Sequence, residues 1–278
     1  MPRGTDPRES GFPSHARKRF GQHFLTDEQA ITDIVRYLAL SPTDVAVEIG
    51  PGRGALTKHL VATGTRVEAV EIDRDLISGL RAIFTGAERV TIHEADALTF
   101  DFANLAAQVG KLRIIGNLPY NIATPLLFRF LQIRECVADM CLMVQKEVAE
   151  RLTGQPSTPD YGRLSVMVQA YMHVDQILDV EPAAFSPPPK VDSCVVSLRP
   201  RVTTLNAEVG LSALSNLVAA AFAHRRKMLR HTLGKLVSED TLEKHQIKLS
   251  QRPEEISVEQ YLALAHELAR SPSTPASP

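Results

Sequence analysis

The chain has 278 residues, 44% of them hydrophobic and 23% charged, and a formal net charge of -1. This composition suits a soluble protein with one large domain and one small one. No apolar run approaches the length of a membrane span and no charged-then-apolar signal segment opens the chain, so a cytoplasmic protein without a membrane partner is expected. Three cysteines, Cys136, Cys141 and Cys194, form no Cys-x-x-Cys pair and have no histidines at zinc-like spacing. They indicate neither a disulfide framework nor a metal site.

In chain order, residues 1–16 and 271–278 are low in periodicity and rich in Pro, Ser and Gly, and are expected to be disordered tails. Apolar spacing predicts a helix from Asp27 to Leu40, then a strand over Val45–Ile49. The glycine loop Gly50-Pro51-Gly52-Arg53-Gly54 opens a second helix, and a strand follows at Arg66–Ile72. A helix over Asp75–Phe84, strands at Val90–His93 and Leu112–Ile115, a helix over Pro125–Leu131 and a strand at Met140–Val144 continue the alternation. Such alternation argues for an α/β domain with a mostly parallel sheet. After a helix over Arg163–Tyr171, strands at Val174–Val180 and Cys194–Leu198 flank a proline-rich connection and suit an antiparallel pair at one end of the sheet. Beyond Pro200 only helical signals remain, over 211–236, 238–245 and 257–269. The domains are therefore placed at 17–202 and 203–270.

Ligands of a parallel sheet bind beyond the carboxyl ends of its strands. Gly50 to Gly54, Glu71 to Asp73, Asp96-Ala97 and Asn117 to Tyr120 all end strands, so they converge on one edge. Glycines at 50 and 52 let the backbone approach a ligand closely. Glu71 is placed to accept hydrogen bonds from both hydroxyls of a ribose, and Asp96 from the exocyclic amine of an adenine. Gly116-Asn117-Leu118-Pro119-Tyr120-Asn121 supplies an amide, a forced turn and an aromatic ring, the equipment for holding a flat amino-bearing ring. As a bare loop it also fits a turn in which Asn121 caps the next helix and Tyr120 packs in the core.

Phe20-Gly21-Gln22-His23-Phe24-Leu25, Val47 to Gly54, Val70 to Asp73, Asn117 to Asn121 and Phe185-Ser186-Pro187-Pro188-Pro189-Lys190-Val191-Asp192-Ser193 occur in that order. Together they resemble the ribosomal RNA adenine dimethyltransferase family, over about Arg17 to Leu233. The resemblance implies a Rossmann-like class I methyltransferase with a seven-stranded, mostly parallel sheet and a small all-helical C-terminal domain. It implies S-adenosylmethionine as cofactor and S-adenosylhomocysteine as product. His23 and Leu25 would close over the cofactor, Gly50 and Gly52 would line its methionine end, Glu71 and Ile72 would face the ribose, and Asp96 with Ala97 the adenine. Asn117 would border both cofactor and substrate. The implied reaction dimethylates N6 of two adjacent adenosines in a 3′-terminal hairpin of small-subunit rRNA, within a partly assembled 30S subunit. The Asn117 side chain and the Leu118 carbonyl would accept from the target amine, Pro119 would fix the turn, and Tyr120 and Phe185 would stack on the two faces of the base.

No acid occurs between Glu208 and Glu239, whereas Arg225, Arg226, Lys227, Arg230 and Lys235 all do. On a continuous helix Val218, Phe222, Leu229, Leu233 and Leu236 share one face and most of the cations lie opposite, so this segment is assigned to RNA. Arg17-Lys18-Arg19 is a second basic run. Nothing in the sequence signals an oligomer, and a monomer is expected. Two rivals stay open: a large-subunit rRNA adenine methyltransferase, in which Ile is commoner than Leu at position 118, and an RNA-binding assembly factor that does not need transfer.

Overall fold

The structure is a computed structural model describing residues 22–201, 209–234 and 236–270. The two expected tails, the basic run 17–19, Phe20, Gly21 and Lys235 lie outside the described residues, as does most of the expected domain boundary. The chain divides into two compact units. One takes the residues up to Ala149 together with Asp175–Arg199, and the other takes Glu150–Val174 with the residues from Pro200 onward. The segment 150–174, grouped with the first domain on sequence order, thus belongs with the C-terminal helices.

Nine strands are described: β1 Phe24–Leu25, β2 Val45–Ile49, β3 Arg66–Glu71, β4 Val90–Glu94, β5 Leu112–Asn117, β6 Val137–Gln145, β7 Met172–Val180, β8 Phe185–Ser186 and β9 Ser193–Pro200. Seven form one sheet in the order β4-β3-β2-β5-β6-β9-β7. The pairs β2/β3, β2/β5, β3/β4 and β5/β6 are parallel and β6/β9 is antiparallel. The expected strand pair therefore closes one end of the sheet. Every residue of β2 is buried, as a parallel strand covered on both faces requires. From β2 the chain moves outward through β3 to β4, then returns to the other side of β2 for β5. That reversal opens a crevice beyond the ends of β2 and β5.

The helices of this unit are α1 Glu28–Leu38, α2 Ala55–Ala62, α3 Arg74–Ile83, α4 Phe102–Val109 and α5 Ala123–Gln132, with α6 Lys146–Thr153 crossing into the second unit. Asp27 caps α1 by accepting from Ala30 N at 2.7 Å, and Ile31, Ile34 and Leu38 are buried along its inner face. Sequence periodicity does not reveal α4 or α6. Each has eight residues, too few for a helical period to stand out, and α4 buries only Phe102 and Leu105.

A separate two-stranded sheet pairs β1 with β8, matching Leu25 with Phe185 and Phe24 with Ser186. Thr26 N and Asp27 N both donate to Ala184 O, at 2.8 and 3.2 Å. The segment before α1 is thereby strapped to the proline-rich connection.

The second unit contains α7 Arg163–Gln169 and helices Leu211–Phe222, Glu239–Lys244 and Val258–Arg270. Tyr161, Phe222 and Tyr261 form an aromatic cluster, and the two tyrosine hydroxyls, both buried, donate to Ile256 O and Pro253 O at 2.8 Å each. The long helix expected over 211–236 stops at Phe222. Residues 223–227 turn, and a short 3-10 segment, Leu229–His231, follows. Leu229 and Leu233 are buried as expected, but Leu236 is 62% exposed, so the single apolar face read from the sequence does not exist.

Candidate active site

A cavity of about 540 Å³ lies beyond the carboxyl ends of the central strands, within the size range of small-molecule sites. His23, Leu25, Gly50, Gly52, Glu71, Ile72, Asp96, Ala97, Asn117, Leu118, Pro119 and Tyr120 all line it. Of the residues assigned to cofactor and catalysis, Phe185 alone does not. It is 4% exposed and packs in the core with Leu25, Ile31 and Val195, while its neighbour Ser186 reaches the cavity. Phe185 pairs with Leu25, which also belongs to the core cluster. The base-stacking role implied for Phe185 is not one this structure supports.

Gly50, Gly52 and Gly54 have φ of +65°, +60° and +77°, a region that side chains other than glycine rarely adopt. Gly52 carries a further constraint, since a Cβ there would stand 2.9 Å from the Phe24 ring. Phe24 in turn lies under the Arg53 guanidinium, 4.9 Å from ring centroid to Cζ. The strap and the glycine loop therefore interlock.

Glu71 is 5% exposed, and burial is the main cause that raises its pKa. Its Oε1 accepts from Ile72 N at 3.0 Å and Asp73 N at 2.9 Å, and its Oε2 from Gly52 N at 3.2 Å. A carboxylate offers about four acceptor directions. Three are taken by backbone, which fixes the orientation of the carboxylate at the cavity wall. Asp96 uses Oδ1 to accept from Leu98 N at 2.9 Å, which orients its carboxylate within the cavity wall.

Sequence reasoning missed Glu48. It stands in the middle of an apolar strand two residues before Gly50, is 2% exposed, and lines the cavity. Burial pushes its pKa up to about 7; the nearby Thr57 hydroxyl offsets part of this and the Glu71 charge adds to it. Neither Glu48 Oε2 nor Thr57 Oγ1 has a hydrogen-bond partner among the described residues. An acid interrupting a buried strand was the available signal. A buried carboxyl with one oxygen left unpaired at the cavity wall fits a cofactor whose amino-acid end carries an ammonium group beside a sulfonium. Exposed Ile72, with Ala97 and Leu98, adds the apolar surface that an adenine needs.

The Glu48 shift has a definite sign. The folded chain keeps this proton to about pH 7, whereas an unfolded glutamate releases it near 4.5. Folding therefore takes up a proton between those values, and stability falls as pH rises through that window, by roughly 3 kcal/mol for this one group. Glu48→Gln should remove that loss. Urea unfolding at several pH values should show the variant gaining on the wild type from pH 4.5 to 7 and holding a constant difference above. A difference that does not change with pH would rule out the buried proton.

At the catalytic loop, β5 runs through Gly116 to Asn117 and Leu118 N donates to Met143 O at 3.0 Å. Asn117 Nδ2 donates to His23 O at 2.8 Å. This fixes the amide with its nitrogen toward the strap and leaves Oδ1 as the acceptor. The Tyr120 hydroxyl shares a 2.7 Å hydrogen bond with Ser193 Oγ, and burial raises its pKa, so the phenol stays neutral. Its ring is stacked by His23, with centroids 5.7 Å apart and planes 22° apart. His23 Nδ1 lies 2.8 Å from Pro187 O and donates to it, which leaves Nε2 as the acceptor in the neutral ring. His23, placed with the cofactor on sequence, thus also contacts Asn117 and Tyr120. Asn121 is exposed and does not cap α5, whose N-cap is Ile122.

Of the residues assigned to RNA, Arg225, Arg226, Lys227 and Arg230 are all exposed in the second unit. They stand on a turn and a 3-10 segment rather than on a helix face.

Comparison with known proteins agrees with this geometry. A family model described as ribosomal RNA adenine dimethylase matches residues 14–270. The chain is 49% identical to ribosomal RNA small subunit methyltransferase A of Alcanivorax borkumensis, covering 92% of this chain and 91% of that one. It is 45% identical to the protein of the same name from Pseudomonas fluorescens, covering 94% and 97%. Among solved structures, a dimethyladenosine transferase from Plasmodium falciparum superposes with a TM-score of 0.75 at 27% identity, covering 89% of this chain and 98% of the other. The 23S rRNA methyltransferase ErmE does so with 0.67 at 25% identity, covering 89% and 100%. A class I methyltransferase sheet, an Asn-Leu-Pro-Tyr loop at its switch point and a match over nearly the whole chain converge on one conclusion: the chain belongs to the ribosomal RNA adenine dimethylase family.

Proposed function

We propose that this chain transfers methyl groups to N6 of two adjacent adenosines in the 3′-terminal hairpin of small-subunit rRNA, giving N6,N6-dimethyladenosines. S-adenosylmethionine, when bound, supplies a methyl group already activated on a sulfonium. The protein's part is to make the amine nucleophilic and to hold it in line. The lone pair of an adenine amine is delocalised into its ring. Asn117 Oδ1 and the Leu118 carbonyl accept from the two amino hydrogens, which favours a pyramidal and more reactive nitrogen. Tyr120 stacks on the base, and stacking of this kind contributes about 1 to 3 kcal/mol toward taking a base out of its helix. The His23 ring stacks on Tyr120 and braces it from the strap. As the N–C bond forms the S–C bond breaks and S-adenosylhomocysteine leaves. The ammonium formed at N6 is acidic and gives its proton to water, so geometry supplies much of the rate enhancement and the neutral phenol of Tyr120 is not asked to move a proton.

The single observation that carries this reading is the oriented Asn117 amide, held by the strap so that its oxygen serves as the acceptor. Small-subunit RNA is favoured over large-subunit RNA because the small-subunit relatives are 45% and 49% identical and ErmE 25%. The exposed cations of the second unit contact phosphates and position the substrate without reading sequence. The enzyme works as a cytoplasmic monomer on partly assembled 30S subunits.

Methyl transfer from labelled cofactor to purified small subunits, large subunits and DNA tests the assignment. Small subunits should take up two methyl groups on each of two adenines, and the other substrates should take up essentially none. Labelling of large subunits alone would overturn the choice of substrate, and absence of transfer to any of the three would favour an assembly factor.

A further inference from the structure

Arg225 belongs to the basic run, yet its guanidinium points back into its own unit. Its Nε donates to Glu254 Oε2 at 2.7 Å, and its Nη2 donates to Thr158 O at 3.3 Å and to Pro159 O. A planar guanidinium satisfies three acceptors in fixed directions, which a lysine ammonium does not. The two side chains of the ion pair are 42% and 26% exposed, so solvent screens the pair only in part. Backbone bonds hold the surroundings. Ser157 N donates to Glu254 O at 2.8 Å, Leu229 N to Gln251 O at 2.8 Å and Arg230 N to Leu249 O at 3.0 Å. The basic turn is therefore built into the unit at both ends, with Arg225 at one of them.

We propose that Arg225 is a positioning residue and not an RNA contact. By gripping Glu254 and the Thr158-Pro159 loop it fixes the turn from which Arg226, Lys227 and Arg230 meet the phosphates. Glu254 then serves RNA binding, although an acid beside a phosphate-binding surface would otherwise oppose it. The proposal rests on the reading of this segment as the RNA-binding surface.

The test measures KM and kcat for methylation of purified small subunits, and the salt dependence of binding, with the full chain and four sets of variants. Arg225→Ala and Glu254→Ala should each raise KM about fivefold to tenfold with kcat within about twofold, because the chemistry lies in the other unit. The double variant should be no worse than either single one, as expected of residues acting as a unit. Arg225→Lys should not restore KM, since an ammonium replaces only one of the three bonds. Arg226→Ala with Lys227→Ala should raise KM and reduce the salt slope by about two, one for each lost phosphate contact. A direct contact by Arg225 requires the opposite result from Glu254→Ala, a lower KM, because a negative charge leaves the surface; that result overturns the proposal. Glu254 is a partly exposed side chain, and a melting temperature near that of the wild type confirms that its variant is folded. Should the Arg226 and Lys227 variant leave both KM and the salt slope unchanged, the RNA-binding reading fails and the positioning role falls with it. A raised KM there with no effect of Glu254→Ala refutes the positioning role alone.

Discussion

Asn117→Ala should lower methyl transfer by about a hundredfold to a thousandfold while the cofactor dissociation constant stays within about threefold, as measured by labelled-methyl transfer and by calorimetric titration. The magnitude is that of removing one oriented polar group from a preorganised site. The split between the two measurements follows from placement. On the proposed mechanism Asn117 Oδ1 addresses the amine, whereas the glycine loop, Glu71 and the strap hold the cofactor. The strap keeps its other anchors on Ala184 and on β8 when the Asn117 bond is lost. Asn117→Asp refines the test. It keeps an acceptor for the amine but sets a carboxylate against the His23 carbonyl, to which Asn117 Nδ2 now donates at 2.8 Å. Transfer by the Asp variant should fall between wild type and Ala. Normal transfer by the Ala variant would remove Asn117 from the mechanism.

Gly116→Ala should destabilise the chain by about 3 kcal/mol, a fall in melting temperature on the order of 10 °C, and should also impair transfer. Its backbone needs no left-handed conformation; its constraint is space. A Cβ at this position would lie 2.5 Å from the Ile49 carbonyl oxygen and 3.3 Å from the Ile49 nitrogen. Both are backbone atoms of β2, so relief requires parting β2 from β5, the two strands that present the glycine loop and Asn117. Gly50→Ala is the control. Nothing lies within 4 Å of its Cβ, so the penalty comes from φ of +65° alone, roughly 1 to 2 kcal/mol. Equal stability of the two variants, compared by thermal melting, would contradict the steric argument.

The strands and glycine loop were legible because buried parallel strands read as apolar runs and the loop punctuates them. The strand-end rule places Gly50, Glu71, Asp96 and Asn117 on one edge, and all four line the cavity. The second unit was less legible. Its basic segment continues the helical apolar spacing through Leu229 and Leu233, without Gly or Pro until Gly234, and no local signal marks the stop after Phe222. Tertiary bonds, among them those of Arg225 with Thr158, Pro159 and Glu254, accompany the turn there, and such partners lie far away in sequence. Phe185 shows the limit of a motif: the resemblance implies base stacking, a Phe before three prolines equally suits the core, and the ring is 4% exposed within the core cluster. Glu48 is hard to single out because it stands within an apolar run directly before the glycine loop, the stronger local signal.

The strap joins positions far apart in sequence: His23 and Pro187 are 164 residues apart. Contacts at that separation raise the contact order of the chain, and the entropy of closing the loop must be offset by what the strap gains on pairing. During synthesis the strap emerges long before its partner. A nascent chain that has reached α5 already carries the glycine loop and Asn117, but nothing roofs them until Ser186 has been made. The site is thus assembled from segments far apart along the chain, and the strap can pair only once β8 has been made.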